Sequence, residues 1–103
     1  MEPSAADRIE VSTAAAERAQ IRALLLERRP DLRQRLHDGP SGALLIPLPT
    51  GRSIEIGRMR RRGAARWVVV FPTTGGARLR EPTSLGSVVR AALAALQRDE
   101  LRR

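Results

Sequence analysis

The chain contains no cysteine, so disulfides, thiolate metal sites and cysteine nucleophiles are all excluded. It has no lysine either, which removes a Walker-type phosphate loop, because that loop ends in a lysine. Tyrosine and asparagine are also absent. Large aromatics are reduced to Trp67 and Phe71, so a base-stacking surface has few rings to draw on. His37 is the only histidine, which leaves no His-based zinc site and no triad signature around any serine. It follows Leu36 near an expected helix end, where a cation suits the dipole. Long apolar runs are missing as well: the richest are Ala43–Leu48 and Trp67–Phe71, far short of the roughly 20 residues that span a bilayer. The N-terminus lacks the basic and apolar regions of a secretory signal. These features predict a cytoplasmic, non-enzymatic protein with no membrane association, no metal and no cofactor.

What the chain does have is arginine. All 19 basic residues are Arg, and the net charge is +8. Residues 1–38 hold seven Arg and seven acids and are neutral. Residues 39–82 hold eight Arg against Glu55 and Glu81, a net +6. The positive field therefore belongs to the middle of the chain.

At 103 residues the sequence has the size of one domain. Residues 1–11 are small, polar and aperiodic and read as a loosely held tail, leaving 12–103 as a single α+β domain. Ser12 or Thr13 would cap a helix to about Arg29, with Ile21, Leu24 and Leu25 as its apolar stripe and Glu17 on a solvated face. Pro30 stops it, and a short helical turn around Leu32 and Leu36 follows before Gly39-Pro40. The middle predicts an antiparallel meander of three to four strands. Pro49-Thr50-Gly51 is a three-residue hairpin loop, which sets Leu44 opposite Ile56 and Ile46 opposite Ile54. A second loop at Arg60–Gly63 places Ile56 opposite Trp67. A third, Pro72–Gly76, pairs Phe71 with Ala77 and Val69 with Leu79. These registers gather Leu44, Ile46, Ile54, Ile56, Trp67, Val69, Phe71 and Leu79 on one face. Pro47 suggests an edge position for the first strand. Thr83 or Ser84 caps a final helix to about Leu101, whose stripe Leu85, Val88, Val89, Ala92, Leu93 and Leu96 packs on one sheet face.

Two constellations carry functional expectations. Arg58, Arg60, Arg61, Arg62 and Arg66 crowd one hairpin, and the predicted register sends Arg66, Arg78 and Arg80 to the sheet's outer face. Guanidinium forks so placed suit phosphate or guanine contacts and predict salt-dependent nucleic-acid binding, with duplex backbone favoured over single strands. The outer face also carries Leu45, Val68 and Val70, too apolar for a face in water. That predicts cover by the first helix or by another chain, and an alternative function as a protein-interaction module (adaptor, inhibitor or antitoxin-like) for an acidic partner, or a homodimer. A sheet carrying arginines, with the Trp67-Val68 strand ahead of a helix, resembles in topology the β-sheet DNA-binding domains of ethylene-response factors and some phage integrases. The rest of that pattern is missing here and a long helix precedes the sheet, so no residue role is carried over.

Overall fold

Alternating apolar residues and tight turns build a five-stranded antiparallel meander, and two helices close its apolar face. The computed structural model describes residues 5–102, with side chains from residue 13 onward. In chain order the elements are α1 (Ala5–Arg28), a 3-10 turn (Pro30–Gln34), β1 (His37–Asp38), β2 (Leu44–Pro47), β3 (Ser53–Arg61), β4 (Ala64–Thr73), β5 (Gly76–Arg80) and α2 (Leu85–Leu101). The strands lie in sequence order across the sheet. This is the α+β architecture expected from the sequence, with one strand more than the meander of three to four.

The extra strand is β1, two residues long, whose His37 pairs with Leu45 and Asp38 with Leu44. His37 therefore sits on an exposed strand edge and not at a helix end. Because β1 is so short, Pro47 has no strand on its outer side, which is where a residue without an N–H belongs. Arg35 donates from Nη2 to the Pro47 carbonyl at 3.1 Å and satisfies that open edge.

The β2–β3 register is the one expected: Leu44 faces Ile56, Ile46 faces Ile54, and Gly51 closes the loop at φ 90°. In β3–β4 the turn is two residues shorter than expected, so Ile56 faces Val69 and Arg58 faces Trp67. A shift of two leaves every side chain on its predicted face. The β4–β5 register differs by one residue, and that inverts β5. Thr73 pairs with Gly76 around a two-residue turn, Phe71 faces Arg78, Val69 faces Arg80 and Val70 faces Leu79. Leu79 thus leaves the core for the outer face, and Arg78 and Arg80 take the helix-facing side. All five β5 residues are exposed, so no buried face holds its register and the tight turn decides it.

The core lies between the sheet and the helices. Leu44, Ile46, Ile54, Ile56, Trp67, Val69 and Phe71 meet Val88, Val89, Ala92, Ala95 and Leu96 of α2 and Ile21 and Leu25 of α1. Ser84 caps α2 by accepting from Ser87 N–H at 3.1 Å. Residues 5–11, read from the sequence as a tail, lie in the first turns of α1, so Ser12 and Thr13 fall inside the helix and do not start it. Residues 1–4 of that tail lie outside the described residues. Leu24, assigned to the buried stripe, is exposed, and Leu32 from the 3-10 turn joins Ile21 and Leu25 in the core instead.

Arg29 bridges the ends of the two helices, donating to both oxygens of Asp31 and of Glu100 at 2.8–3.0 Å. The hydrogen bond from Arg29 holds the Asp31 carboxyl below its ordinary range, and Asp31, then Glu100, raise Arg29. A depressed carboxyl stabilises the fold above its unfolded pKa, and its contribution fades as pH falls through the folded value. Asp31 is exposed, so that effect is small. Among the described residues, no helix is long and apolar enough to cross a membrane.

Candidate nucleic-acid interface

The β3–β4 hairpin outruns the rest of the sheet. β2 pairs with β3 only as far as Ile56, and β5 pairs with β4 only as far as Val69. Beyond that line Gly57–Arg61 and Ala64–Val68 pair only with each other. The result is a two-stranded ribbon roughly 15 Å long at about 3.3 Å per residue. Arg62 and Gly63 close it with φ values of 53° and 80°. Two successive positive φ values are what a type I′ turn needs, and that turn matches the twist of the flanking strands. The cross-strand partners of Arg60 and Arg61 are Ala65 and Ala64, so the far end of the ribbon is slender.

The seven arginines singled out by sequence separate into three groups. Arg58 and Arg61 are engaged internally. Arg58 donates to Glu17 Oε1 at 2.6 Å and lies 5.7 Å from the centre of the Trp67 ring, while Arg61 Nε sits 3.2 Å from Glu81 Oε1. Both are half-buried. Arg60, Arg62 and Arg66 form the second group, exposed on the ribbon and without a carboxylate partner in the ion pairs described. Arg60 uses one N–H on the Gly63 carbonyl at 3.1 Å, which leaves the rest of its fork open. By strand alternation Arg60 and Arg66 point to opposite faces of the ribbon, and Arg62 stands at its tip. Arg78 and Arg80 are the third group, exposed on the edge strand beside Phe71 and Val69. Their helix-facing orientation corrects the outer-face placement, for the register reason given above.

No protein-family model, curated protein or solved structure matches this chain.

Glu17 is the functional-site residue that sequence reading assigned wrongly. It is half-buried, and its Oε1 accepts from Arg58 Nη1 and, at 3.1 Å, from Trp67 Nε1–H. One carboxylate therefore clamps α1 to the base of the ribbon, where the strands lose their neighbours. The signal was present, because Glu17 precedes Ile21 and Leu25 by one and two helical steps of four and so shares their buried face. Glu17→Ala leaves an indole N–H and a guanidinium without their acceptor, and is expected to cost about 2 kcal/mol, as charged hydrogen bonds do. Urea unfolding followed by the fluorescence of Trp67 measures both the stability and the local change. An unaltered midpoint and spectrum would show that the clamp is inconsequential.

The apolar outer-face positions are partly covered by the chain itself. Val68 is only 2 % exposed. Leu45 is half-buried beneath the turn at Gly39, where an added Cβ would come within 3.1 Å of Leu45 Cδ1. Val70 is half-buried, and Leu79 across from it and Met59 farther along the same face are 38 % and 43 % exposed. A groove of about 570 Å³ runs between these residues and Ala14 and Ala15 of α1. Among the described residues, no group of three or more His, Asp or Glu side chains is placed to hold a metal ion.

Proposed function

We propose that this chain is a small, non-enzymatic, cytoplasmic nucleic-acid-binding protein that grips phosphates through Arg60, Arg62 and Arg66 on the ribbon and Arg78 and Arg80 on the edge strand. The observation that carries the reading is a slender ribbon, free of flanking strands, whose exposed arginines have no carboxylate partner among the ion pairs described. Guanidinium groups so presented match phosphate oxygens in pairs, and each contact releases counterions from the nucleic acid. Arg62 adds a second argument. It holds φ 53°, a conformation that costs an ordinary L-residue about 1 kcal/mol and suits glycine or asparagine. A cation kept at such a position fits a tip whose charge is used.

That strain gives a test. Arg62→Gly is expected to raise stability by up to about 1 kcal/mol while weakening nucleic-acid binding several-fold. Thermal unfolding and fluorescence anisotropy on labelled DNA and RNA measure the two effects. A variant that is more stable and binds as well as the wild type would remove Arg62 from the contact, and a wild type that binds no nucleic acid would end the proposal.

A second reading rests on a different observation, the groove beside Leu79, Met59 and Val70 with its arginine surroundings. A protein partner that offers an apolar side chain within an acidic surface would suit it, and a second copy of this chain would cover the same face. Leu79→Ser, which adds no charge between Arg78 and Arg80, is expected to weaken such an association, as read by sedimentation velocity, and to leave nucleic-acid binding intact.

A further inference from the structure

Resting on the nucleic-acid reading above, we infer that the ribbon enters the major groove of B-form duplex DNA, with Arg62 at the groove floor and Arg60 and Arg66 directed to its two walls. The dimensions agree. The major groove is about 12 Å wide and 8.5 Å deep and admits a two-stranded β-ribbon. Here the ribbon runs roughly 15 Å beyond the last flanking strand pair. Glu17 clamps its base at Arg58 and Trp67, and Pro82–Leu85 line one pocket with Ala65 and Arg66, so the part that enters the groove is the end from Arg60 to Ala65. Its far end is thin because Ala64 and Ala65 stand across from Arg61 and Arg60. Bulky residues there would thicken the ribbon where the groove is tightest.

The placement of charge agrees as well. An insertion with cations on one face would lean on one strand of the duplex. Arg60 and Arg66, on opposite faces, can each reach a phosphate wall. Arg62, at the tip, meets base edges, where the guanidinium fork matches guanine O6 and N7. Arg78 and Arg80, one strand back from the ribbon, remain for phosphates outside the groove.

The alternatives fit less well. Single-stranded ligands are held by bases stacked on exposed rings. Trp67 is 9 % exposed, with its indole N–H on Glu17, and Phe71 is 4 % exposed beneath Arg98, whose guanidinium lies 5.6 Å from the ring centre. Neither ring is available. Duplex RNA presents a deep, narrow major groove that side chains do not read and a shallow minor groove into which a projecting ribbon has no depth to insert.

The test compares the wild-type chain on four probes at one salt concentration by fluorescence anisotropy: a 20-base-pair DNA duplex, the RNA duplex of the same sequence, one DNA strand alone, and a DNA duplex in which glucosylated hydroxymethylcytosine replaces cytosine. The last probe fills the major groove while keeping the backbone charge and minor groove. The plain DNA duplex is expected to bind at least about tenfold tighter than each of the others, the scale of one bidentate base contact. The Arg60→Ala, Arg62→Ala, Arg66→Ala variant, whose changes are all exposed, is expected to lose that preference. Equal affinity for all four probes, or preference for the RNA duplex or the single strand, overturns groove entry and leaves phosphate binding standing. Absence of binding to every probe overturns the proposed function itself.

Discussion

Simultaneous replacement of Arg60, Arg62 and Arg66 by alanine is expected to weaken binding to duplex DNA by at least about a hundredfold, since each arginine contact contributes roughly 1 kcal/mol or more. The salt dependence should flatten with it. Every phosphate no longer neutralised removes about 0.9 from the slope of log affinity against log salt, so up to about 2.7 is lost if all three arginines touch phosphate. Because Arg62 is assigned to base edges, a loss nearer 1.8 with a large drop in affinity is the more specific expectation. Stability should change by no more than about 0.5 kcal/mol, because all three side chains are exposed. The contrasting pair is Arg58 and Arg61. Their guanidinium groups are committed to Glu17 and Glu81, so Arg58→Ala and Arg61→Ala should reduce stability while leaving affinity close to that of the wild type. A triple variant that binds normally would move the contact off the exposed arginines, and an Arg58→Ala protein that is stable but cannot bind would move it to the base of the ribbon.

Ile56→Ala is expected to cost about 3 kcal/mol, within the range of about 2–5 for buried isoleucine truncations. Ile56 is fully buried, pairs across the sheet with Leu44 and Val69, and lies in the cluster that α2 covers. For a domain near 100 residues, the corresponding fall in melting temperature is roughly 12–24 °C. Leu79→Ala should cost under about 1 kcal/mol, because Leu79 is on the outer face of an exposed strand. The comparison decides the register of β5. Had Leu79 faced Val69, as turn chemistry read from sequence suggests, its truncation would rival that of Ile56. Equal losses in a denaturant titration would restore that register and return Arg78 and Arg80 to the outer face.

The difference between what the sequence makes legible and what it hides follows burial. Leu44, Ile46, Ile54, Ile56, Trp67, Val69 and Phe71 alternate along strands with one buried face, and a slip of one residue would turn all of them into water. Their pattern therefore specifies the face even where the turn at Arg62-Gly63 is shorter than expected. β5 has no buried face, so only local turn geometry sets its register, and Thr73 pairing with Gly76 is a two-residue matter that composition does not reveal. β1 is two residues long and carries His37 and Asp38, neither of which favours strand on propensity, and it exists because Gly39 and Gly42 fold the chain back onto β2.

The candidate site was legible as a concentration of charge and not as an arrangement. Sequence places Arg58, Arg60, Arg61, Arg62 and Arg66 on one hairpin. It does not tell which of them meet Glu17 or Glu81, because those carboxylates come from distant parts of the chain. Nor does it reveal that the hairpin projects past both neighbouring strands, since the projection depends on where β2 and β5 stop pairing. Glu17 could have been found: its spacing of four and eight from Ile21 and Leu25 marks a carboxylate on an apolar face, and such a residue needs a buried donor.

The most direct test of the central claim is the salt dependence of wild-type binding to a short DNA duplex, followed by fluorescence anisotropy. With Arg60 and Arg66, and up to both Arg78 and Arg80, on phosphates, log affinity should fall linearly against log salt with a slope of about −1.8 to −3.6. An affinity that does not change with salt, or no binding at low salt, would contradict the account and leave these arginines as the solvated surface of a protein with a different partner.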